Sequence, residues 1–425
     1  MKILYAIMAY GPKIIASEVH SELGRYFRQQ GHEFRVFSLE DYGDTDAGGA
    51  APFLDEADSV PVFALKFKNT RWRRWLRRGC SALFKYGFFL ELLWGYYRFL
   101  KQHQHKIDII HVENAYPLGT VAALTSLLIK IPFVVNLQGA DVMALPKYDY
   151  GYGRYWLPRL GLRLTFRRAN FTRANSEQTA VLALHYGAKP ERVRVIFRNI
   201  STNIYPPADL DLNKHKQAQQ AILRQRYDLN PGPVLISYSR LHPFKGLDFL
   251  VRAVPILQER LGAINLLICG PSRHTPQFGD YRRYLENLAH QLGIQEAVIF
   301  TGKIDFALSQ DYLAGADLLV IPSIVDALNK VAIEAAAVAT PAVITNTTGI
   351  APHAVQAGVA LSVPPSDASA LAAAITIALA QQNEMGQTGP AFAAAFTSPH
   401  IAQQLLDLYQ QVLSEYNQPD HTDMN

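Results

Sequence analysis

A chain of 425 residues, 49% hydrophobic and 18% charged, has the composition of a soluble globular protein and is too long for one ordinary core, so two domains are expected. Its two cysteines, Cys80 and Cys269, argue against a disulfide framework or a cysteine zinc site and fit a reducing compartment. The net charge of +5 is uneven: residues 66–106 carry +10, with Glu91 as the single acid, and the remainder is −5, which argues against a nucleic-acid binder with its charge spread over a face.

Met1–Tyr10 (MKILYAIMAY) reads as a buried first strand ended by Gly11-Pro12, too short for the apolar core of a secretory signal. SEVHSELGRYFRQQ follows as a helix and HEFRVFSL as a strand. After the basic segment come IDIIHVEN (strand), TVAALTSLLI (helix), PFVVNLQ (strand), TRANSEQTAVLALHYGA (helix) and VRVIFRN (strand). Strands apolar on both faces, alternating with helices, make a parallel sheet covered by helices. Residues 201–232 are polar with prolines at both ends, and read as a linker plus one surface helix. The alternation then restarts: PVLISYS, a helix through LDFLVRAVPILQERL, INLLICG, a helix through YRRYLENLAHQLG, AVIFTG, the short helix LSQDYLAGA, DLLVIPS, a helix through KVAIEAAAV, and PAVITN. The expected fold is therefore α/β, with two Rossmann-like doubly wound domains facing across a cleft and ligands at the carboxyl ends of the strands. The expected boundaries are 1–205, with an insertion at about 66–106; 206–397; and 398–425. In the last of these the helix SPHIAQQLLDLYQQVLSEY is a candidate to cross back to the first domain, ahead of a tail.

The insertion contains RWRRWLRRGCSALFKYGFFLELLWGYYRFLKQ. Lys85, Glu91 and Arg98 interrupt it, so it has no uncharged run of the roughly 20 residues that span a bilayer. At about 100° per residue from Arg71, the side chains Arg71, Arg73, Arg74, Arg77, Arg78 and Lys85 fall between about 200° and 360°. Trp72, Trp75, Leu76, Ala82 and Leu83 fall between about 20° and 140°, and only Phe84 intrudes on the basic arc. Such a helix suits a membrane interface with anionic lipid, its tryptophans at the wet–dry boundary; Arg71, Trp72, Arg73, Arg74, Trp75, Arg77 and Arg78 are the expected contacts. The plainer reading is an ordinary helix with a solvated basic face; a protein partner or RNA is a third.

Three stretches of the second half carry candidate chemistry. Arg240 and Lys245 lie five apart in Ser239–Gly246, a loop between a strand and a helix, and suit a diphosphate; the alternative is two solvated cations. Asp326 and Glu334 lie eight apart in PSIVDALNKVAIEA, with a helix start among Ala327–Lys330 whose free N–H groups point to the same anion. Asp326 can reach a sugar hydroxyl and Glu334 a ribose diol; alternatively they are a helix cap and a solvated charge, although a free carboxylate in VAIEAAAVA is costly. Ile344–Ile350 (ITNTTGI) is small and polar, as close backbone approach to a ligand requires.

In their order and spacing these stretches resemble the GT-B glycosyltransferases of family four, the large retaining group, whose pattern is an Arg-Leu…Lys-Gly loop, a Pro-Ser with a Glu, seven residues, Glu motif, and a Gly-Ile loop. Arg240…Lys245-Gly246, Pro322-Ser323…Asp326…Glu334 and Gly349-Ile350 carry the likeness, and Gly31–Phe34, Asp108–His111 and Ala174–Ser176 extend it to the first half. The resemblance implies a GT-B fold with the acceptor on the first domain and a nucleotide diphosphate sugar on the second. It implies catalytic roles for Arg240, Lys245 and Asp326, donor binding by Gly11, Gln138, Asn329, Lys330, Val331, Glu334 and Gly349, and neither metal nor cofactor. It further implies a retaining, front-face transfer of a sugar from a UDP- or GDP-sugar to a glycan or lipid-linked acceptor in polysaccharide or glycoconjugate synthesis. Together with the basic helix it implies a cytoplasmic protein peripheral on the inner face of the membrane, without nucleic acid as a partner. Three departures stand out: Tyr10-Gly11-Pro12-Lys13 has one glycine where two are usual, Gln138 replaces a histidine that contacts the donor sugar, and Asp326 is one methylene shorter than the usual glutamate. They keep open a catalytically silent GT-B module that recruits partners to a membrane; a sugar phosphorylase or epimerase of the same fold is a further alternative.

Overall fold

The structure, a computed structural model, describes residues 1–10, 15–39, 51–54, 60–67, 70–207, 209–272, 274–275 and 277–418. The chain forms two compact units: Met1–Asn199 with Ser398–Asn425, and Ile200–Thr397.

The first unit is built on strands β1 (Lys2–Ala9), β2 (Glu33–Leu39), β3 (Ala51–Leu54), β4 (Pro61–Leu65), β5 (Ile109–Val112), β6 (Phe133–Asn136), β7 (Phe171–Ala174) and β8 (Val193–Val195). They form one sheet in the order β3-β4-β2-β1-β5-β6-β7-β8, in which only β3 runs antiparallel to its neighbour. Alternate residues of the strands feed two separate cores, as the period of two requires. Ile3 and Tyr5 of β1 face the helices Ile15–Gln29 and Ser398–Asn417, through Leu23, Phe27, Leu405 and Tyr409. Leu4 and Ala6 face the other layer, the helices Phe89–His103, Thr120–Thr125, Trp156–Arg168 and Glu177–His185, through side chains such as Leu92, Tyr96 and Leu162.

The second unit holds β9 (Val234–Tyr238), β10 (Asn265–Cys269), the small hairpin β11 (His274–Thr275) and β12 (Gly279–Asp280), β13 (Val298–Gly302), β14 (Leu318–Ile321), β15 (Ala342–Thr345) and β16 (Ala360–Val363). Its six-stranded parallel sheet has the order β13-β10-β9-β14-β15-β16. This is the doubly wound Rossmann order, with its topological switch between β9 and β14.

The alternation read from the sequence is present, with differences: β3 and β4 extend the first sheet where no strand was expected, and the helix Phe89–His103, part of the expected insertion, packs into the core through Leu92, Tyr96 and Phe99. TRANSEQTAVLALHYGA splits into β7 and the helix Glu177–His185. The helix Trp156–Arg168 stands where none was expected; its Pro158 lies in the first turn, where no backbone donor is needed. The second unit continues past PAVITN with the helix Ala351–Gln356, β16 and the helix Ala368–Ala380.

Candidate functional site

In the second unit three loops leave the carboxyl ends of the adjacent strands β9, β14 and β15, on either side of the switch point where open α/β sheets hold ligands. The first loop makes a single turn, Pro243–Lys245, and enters the helix Leu247–Leu261 through Gly246 at φ 65°. A Cβ on Gly246 would lie 2.1 Å from the Pro322 carbonyl oxygen, so only glycine lets the first loop press onto the second. Backbone bonds join the loops further: the Ile324 N–H donates to the Phe244 carbonyl at 2.8 Å, and the Gly349 and Ile350 N–H groups donate to the Asp326 and Leu328 carbonyls at 3.0 Å each.

The side chains converge on these loops. Lys245 Nζ donates to Asp326 Oδ2 at 2.5 Å, and Asn329 Nδ2 donates to the same oxygen at 2.9 Å. Asn329 itself is left-handed (φ 65°) and precedes the helix Lys330–Ala337, whose first N–H groups have no partner within the helix. Its Oδ1 is buried without a hydrogen bond. Glu334 is 3% exposed; its Oε1 lies 3.2 Å from Lys330 Nζ, yet is not aligned for a hydrogen bond and is otherwise unpartnered. Val331 is half-buried beside it, and Gly349 is buried. Arg240 differs from the rest: it is exposed and forms no ion pair among the described residues. What the geometry offers is a loop edge with cations and helix-opening N–H groups, suited to a diphosphate, next to a buried and a half-buried carboxylate suited to hydroxyls.

In the first unit, sequence reasoning missed a buried polar network around Gln138. Glu113, just past β5, accepts from Tyr5 Oη at 2.6 Å, from His111 Nε2 at 3.1 Å and from Gln138 Nε2 at 2.6 Å. Arg198, past β8, donates to Gln138 Oε1 at 3.0 Å and to His20 Nε2 at 3.3 Å. His20 Nδ1 donates in turn to Tyr5 Oη at 3.0 Å, and Tyr409 Oη on the last helix donates to His111 Nδ1 at 2.7 Å. These hydrogen bonds are mutually consistent only if both histidines are neutral, one carrying its proton on Nδ1 (His20) and the other on Nε2 (His111), while Arg198 Nε stays buried without a partner. Burial, aided by Arg198, pushes His20 down to about 3. Burial alone would raise Glu113, but the histidines and Arg198 around it hold its carboxyl well below the usual range. A carboxylate directly after the buried strand IDIIHV was the visible signal. The rest of the network comes from five other segments and could not be read together.

Two family descriptions cover most of the chain: "Glycosyl transferases group 1" matches residues 219–391 and "Glycosyl transferase 4-like domain" residues 16–198. The chain belongs to the group 1 glycosyltransferases. The D-inositol 3-phosphate glycosyltransferase of Nocardia farcinica is 32% identical over 250 residues, 57% of this chain and 52% of that one. The GDP-mannose-dependent alpha-(1-6)-phosphatidylinositol monomannoside mannosyltransferase of Mycobacterium tuberculosis is 35% identical over 158 residues, 36% of this chain and 39% of that one. The chain thus spans about half or less of the length of these curated relatives. Among solved structures, HepE of Anabaena in complex with UDP has a TM-score of 0.70 at 21% identity, covering 97% of this chain and all of the other. Sucrose-phosphate synthase of Thermosynechococcus elongatus has a TM-score of 0.70 at 20% identity, covering 97% and 99%. These two likenesses establish the fold, GT-B.

Of the residues expected to serve this group 1 family member, Gly11 lies outside the described residues. The basic helix, Arg71–Phe84, is present, but the face it buries differs from expectation. Arg73 and Arg77 turn inward: Arg77 Nε donates to Glu91 Oε2 at 2.7 Å and Arg73 Nη1 to Glu91 Oε1 at 3.3 Å, while the Arg77 guanidinium carbon lies 4.4 Å from the centre of the Phe88 ring. Cys80 and Phe84 complete the buried stripe. Trp72 and Trp75, expected at a boundary, are 62% and 77% exposed, beside the exposed Arg71, Arg74 and Arg78. The reason is that Glu91 offers a half-buried carboxylate to the two nearest guanidinium groups, and this pairing rotates the tryptophans outward. Among the described residues no helix is long and apolar enough to cross a membrane, and no three His, Cys, Asp or Glu side chains cluster to hold a metal.

Proposed function

We propose that the protein transfers a sugar, with retention, from a UDP- or GDP-sugar to a hydroxyl of a glycan or lipid-linked acceptor, without a metal ion and at the inner, anionic face of a membrane. The observation that carries this reading is the convergence of Lys245, Asp326, Asn329, Lys330 and Glu334 on three mutually hydrogen-bonded loops at the switch point. Lys245, Arg240, Lys330 and the N–H groups opening the helix Lys330–Ala337 hold the diphosphate and stabilise the charge that grows on it. Glu334, buried with an unpartnered oxygen, accepts from the ribose. Asp326 and Gln138 contact the donor sugar, and Val331 and Gly349 bring backbone close to the ligand. In the transfer the bond from the anomeric carbon to the leaving diphosphate oxygen breaks, and the acceptor oxygen bonds that carbon on the same face. The leaving phosphate takes the acceptor's proton, so no carboxylate nucleophile is required, unlike the two-carboxylate hydrolase scheme.

GDP-mannose in the name of the mycobacterial relative, and UDP bound to HepE, support the donor class; phosphatidylinositol in the former's name supports a lipid-borne acceptor. The exposed Trp72 and Trp75 beside Arg71, Arg74 and Arg78 support docking on anionic lipid, to which each such cation is attracted by about 1 kcal/mol. Replacing Lys245 or Glu334 by alanine is expected to lower transfer from the donor at least about 100-fold, on the order of 2.7 kcal/mol of transition-state stabilisation, with circular dichroism unchanged. Full activity in either variant rejects the site.

A further inference from the structure

In the first unit a cavity of about 340 Å³ opens between the C-terminal end of the helix Arg71–Phe84 and the loop that follows β6. We infer that this cavity binds a phosphate-bearing acceptor, the phosphate held by Lys85 and Arg154 and the hydroxylated ring lying against the tyrosines between them. The inference rests on the transferase reading and deepens it by naming the acceptor's chemical class.

Charge decides the ligand. Lys85 and Arg154 flank one ring: Lys85 Nζ lies 5.0 Å and the Arg154 guanidinium carbon 4.5 Å from the centre of Tyr155. Lys85 has no carboxylate partner among the described residues. Arg154 donates through Nη1 to Asp149, but its Nε–H is buried without any partner. One acid therefore meets two cations along this cavity, and a tetrahedral oxyanion between Lys85 and Arg154 balances the excess charge. The cavity lies at the small end of ligand pockets, which run from about 300 to 1,000 Å³, with room for one ring and a phosphate rather than a long glycan.

The backbone points the same way. Lys85 (φ 57°) and Asp149 (φ 52°) are both left-handed, a conformation that glycine adopts more easily, and both line this cavity. The loop carrying Asp149 and Arg154 is locked. Leu145 and Tyr150 exchange backbone hydrogen bonds at 3.0 and 3.2 Å, and a Cβ on Gly151 would lie 2.0 Å from the Met143 carbonyl oxygen. The same loop begins at Gln138. Asp141 accepts the N–H groups of Gln138 at 3.0 Å and Gly139 at 2.8 Å, and Ala140 between them lines the cavity. A ligand in the cavity thus lies along the loop from the proposed sugar contact, and its other rim, Lys85, ends the helix that carries Trp72 and Trp75. That is the order in which a lipid headgroup presents its parts, and a soluble sugar phosphate shares the chemistry.

Isothermal titration with inositol 1-phosphate and glucose 1-phosphate, each against its plain ring, reads the site. At least one phosphorylated ring is expected to bind about tenfold or more tightly than its plain form, and Lys85→Gln with Arg154→Gln is expected to abolish that preference. Absence of any preference for phosphate, or a preference that survives the double variant, overturns the inference. Lys85→Gly separates binding from folding: its melting temperature should hold or rise while the preference falls, and an undiminished preference removes Lys85 from the site. Flotation on phosphatidylcholine vesicles containing phosphatidylinositol, compared with phosphatidylglycerol, identifies the source. A preference for phosphatidylinositol that the double variant loses assigns the headgroup, whereas vesicle binding indifferent to the variant, with the titration preference intact in the wild type, assigns a soluble phosphate. UDP and GDP titrated into the same samples keep the two ideas apart: nucleotide binding without phosphate selectivity sinks the cavity alone, and the reverse sinks the donor site alone.

Discussion

Gln138 shows how a single exchange can be absorbed by its surroundings. An amide cannot titrate as the usual histidine can, but here both its ends are fixed, the nitrogen by Glu113 and the oxygen by Arg198. Arg198 supplies a cation behind the amide, while Glu113 stays ionised. Replacing Glu113 by glutamine removes a buried charged acceptor from Tyr5, His111 and Gln138 and is expected to destabilise the first unit by about 1–3 kcal/mol in urea unfolding at neutral pH. The pH dependence has a definite sign. Glu113 is held below its ordinary 4.5 in the folded chain, so its stabilisation is complete above that value and is lost as pH falls through the folded value. His20, lowered from 6.5 to about 3, acts in the same direction, because protonation between those values favours the unfolded chain. The gap between wild type and Glu113→Gln should therefore narrow on acidification below about pH 4.5; a gap that widens contradicts an ionised Glu113. At Gly246 the constraint is steric. Alanine there meets the Pro322 carbonyl and a left-handed φ, and should cost more than about 2 kcal/mol in the second unit while weakening nucleotide binding; a neutral variant would mean that the loops are not pressed together.

At the scale of elements, the helix Arg71–Phe84 divides its arginines into two sets. The inner pair, Arg73 and Arg77, binds Glu91; the outer set, Arg71, Arg74 and Arg78, shares the surface with Trp72 and Trp75. Arg74→Glu with Arg78→Glu should weaken flotation on phosphatidylglycerol vesicles and leave the melting temperature unchanged, whereas Arg73→Gln with Arg77→Gln should lower the melting temperature. Unchanged flotation in the outer variant removes the membrane claim without touching the donor site. The sequence wheel found the helix and its composition but not this division, because which arginines turn inward depends on Glu91, a turn and a loop away. The donor loops were legible for the opposite reason. Each is a contiguous stretch after a strand, so order and spacing alone bring Lys245, Asp326 and Glu334 to one edge. β7 was absorbed into a helix because Arg173 makes FTRA look polar. In the fold Arg173 is 1% exposed and donates to the Ile196 and Phe197 carbonyls at 3.0 and 2.5 Å, a pairing no local pattern reveals.

For the molecule as a whole, each unit is a doubly wound sheet with candidate chemistry at its carboxyl edge. In the first unit this is the Glu113–Gln138 network, completed by Tyr409 from the last helix. In the second it is the cationic loops around the switch between β9 and β14. Sugar transfer depends most on the second, where a nucleotide diphosphate must sit. Isothermal titration of UDP and GDP into the wild-type protein and into Lys245→Ala tests this directly. Saturable binding of one nucleotide to the wild type, weakened about tenfold or more in the variant, is the expected result. Binding of neither nucleotide, or equal binding to both proteins, contradicts it.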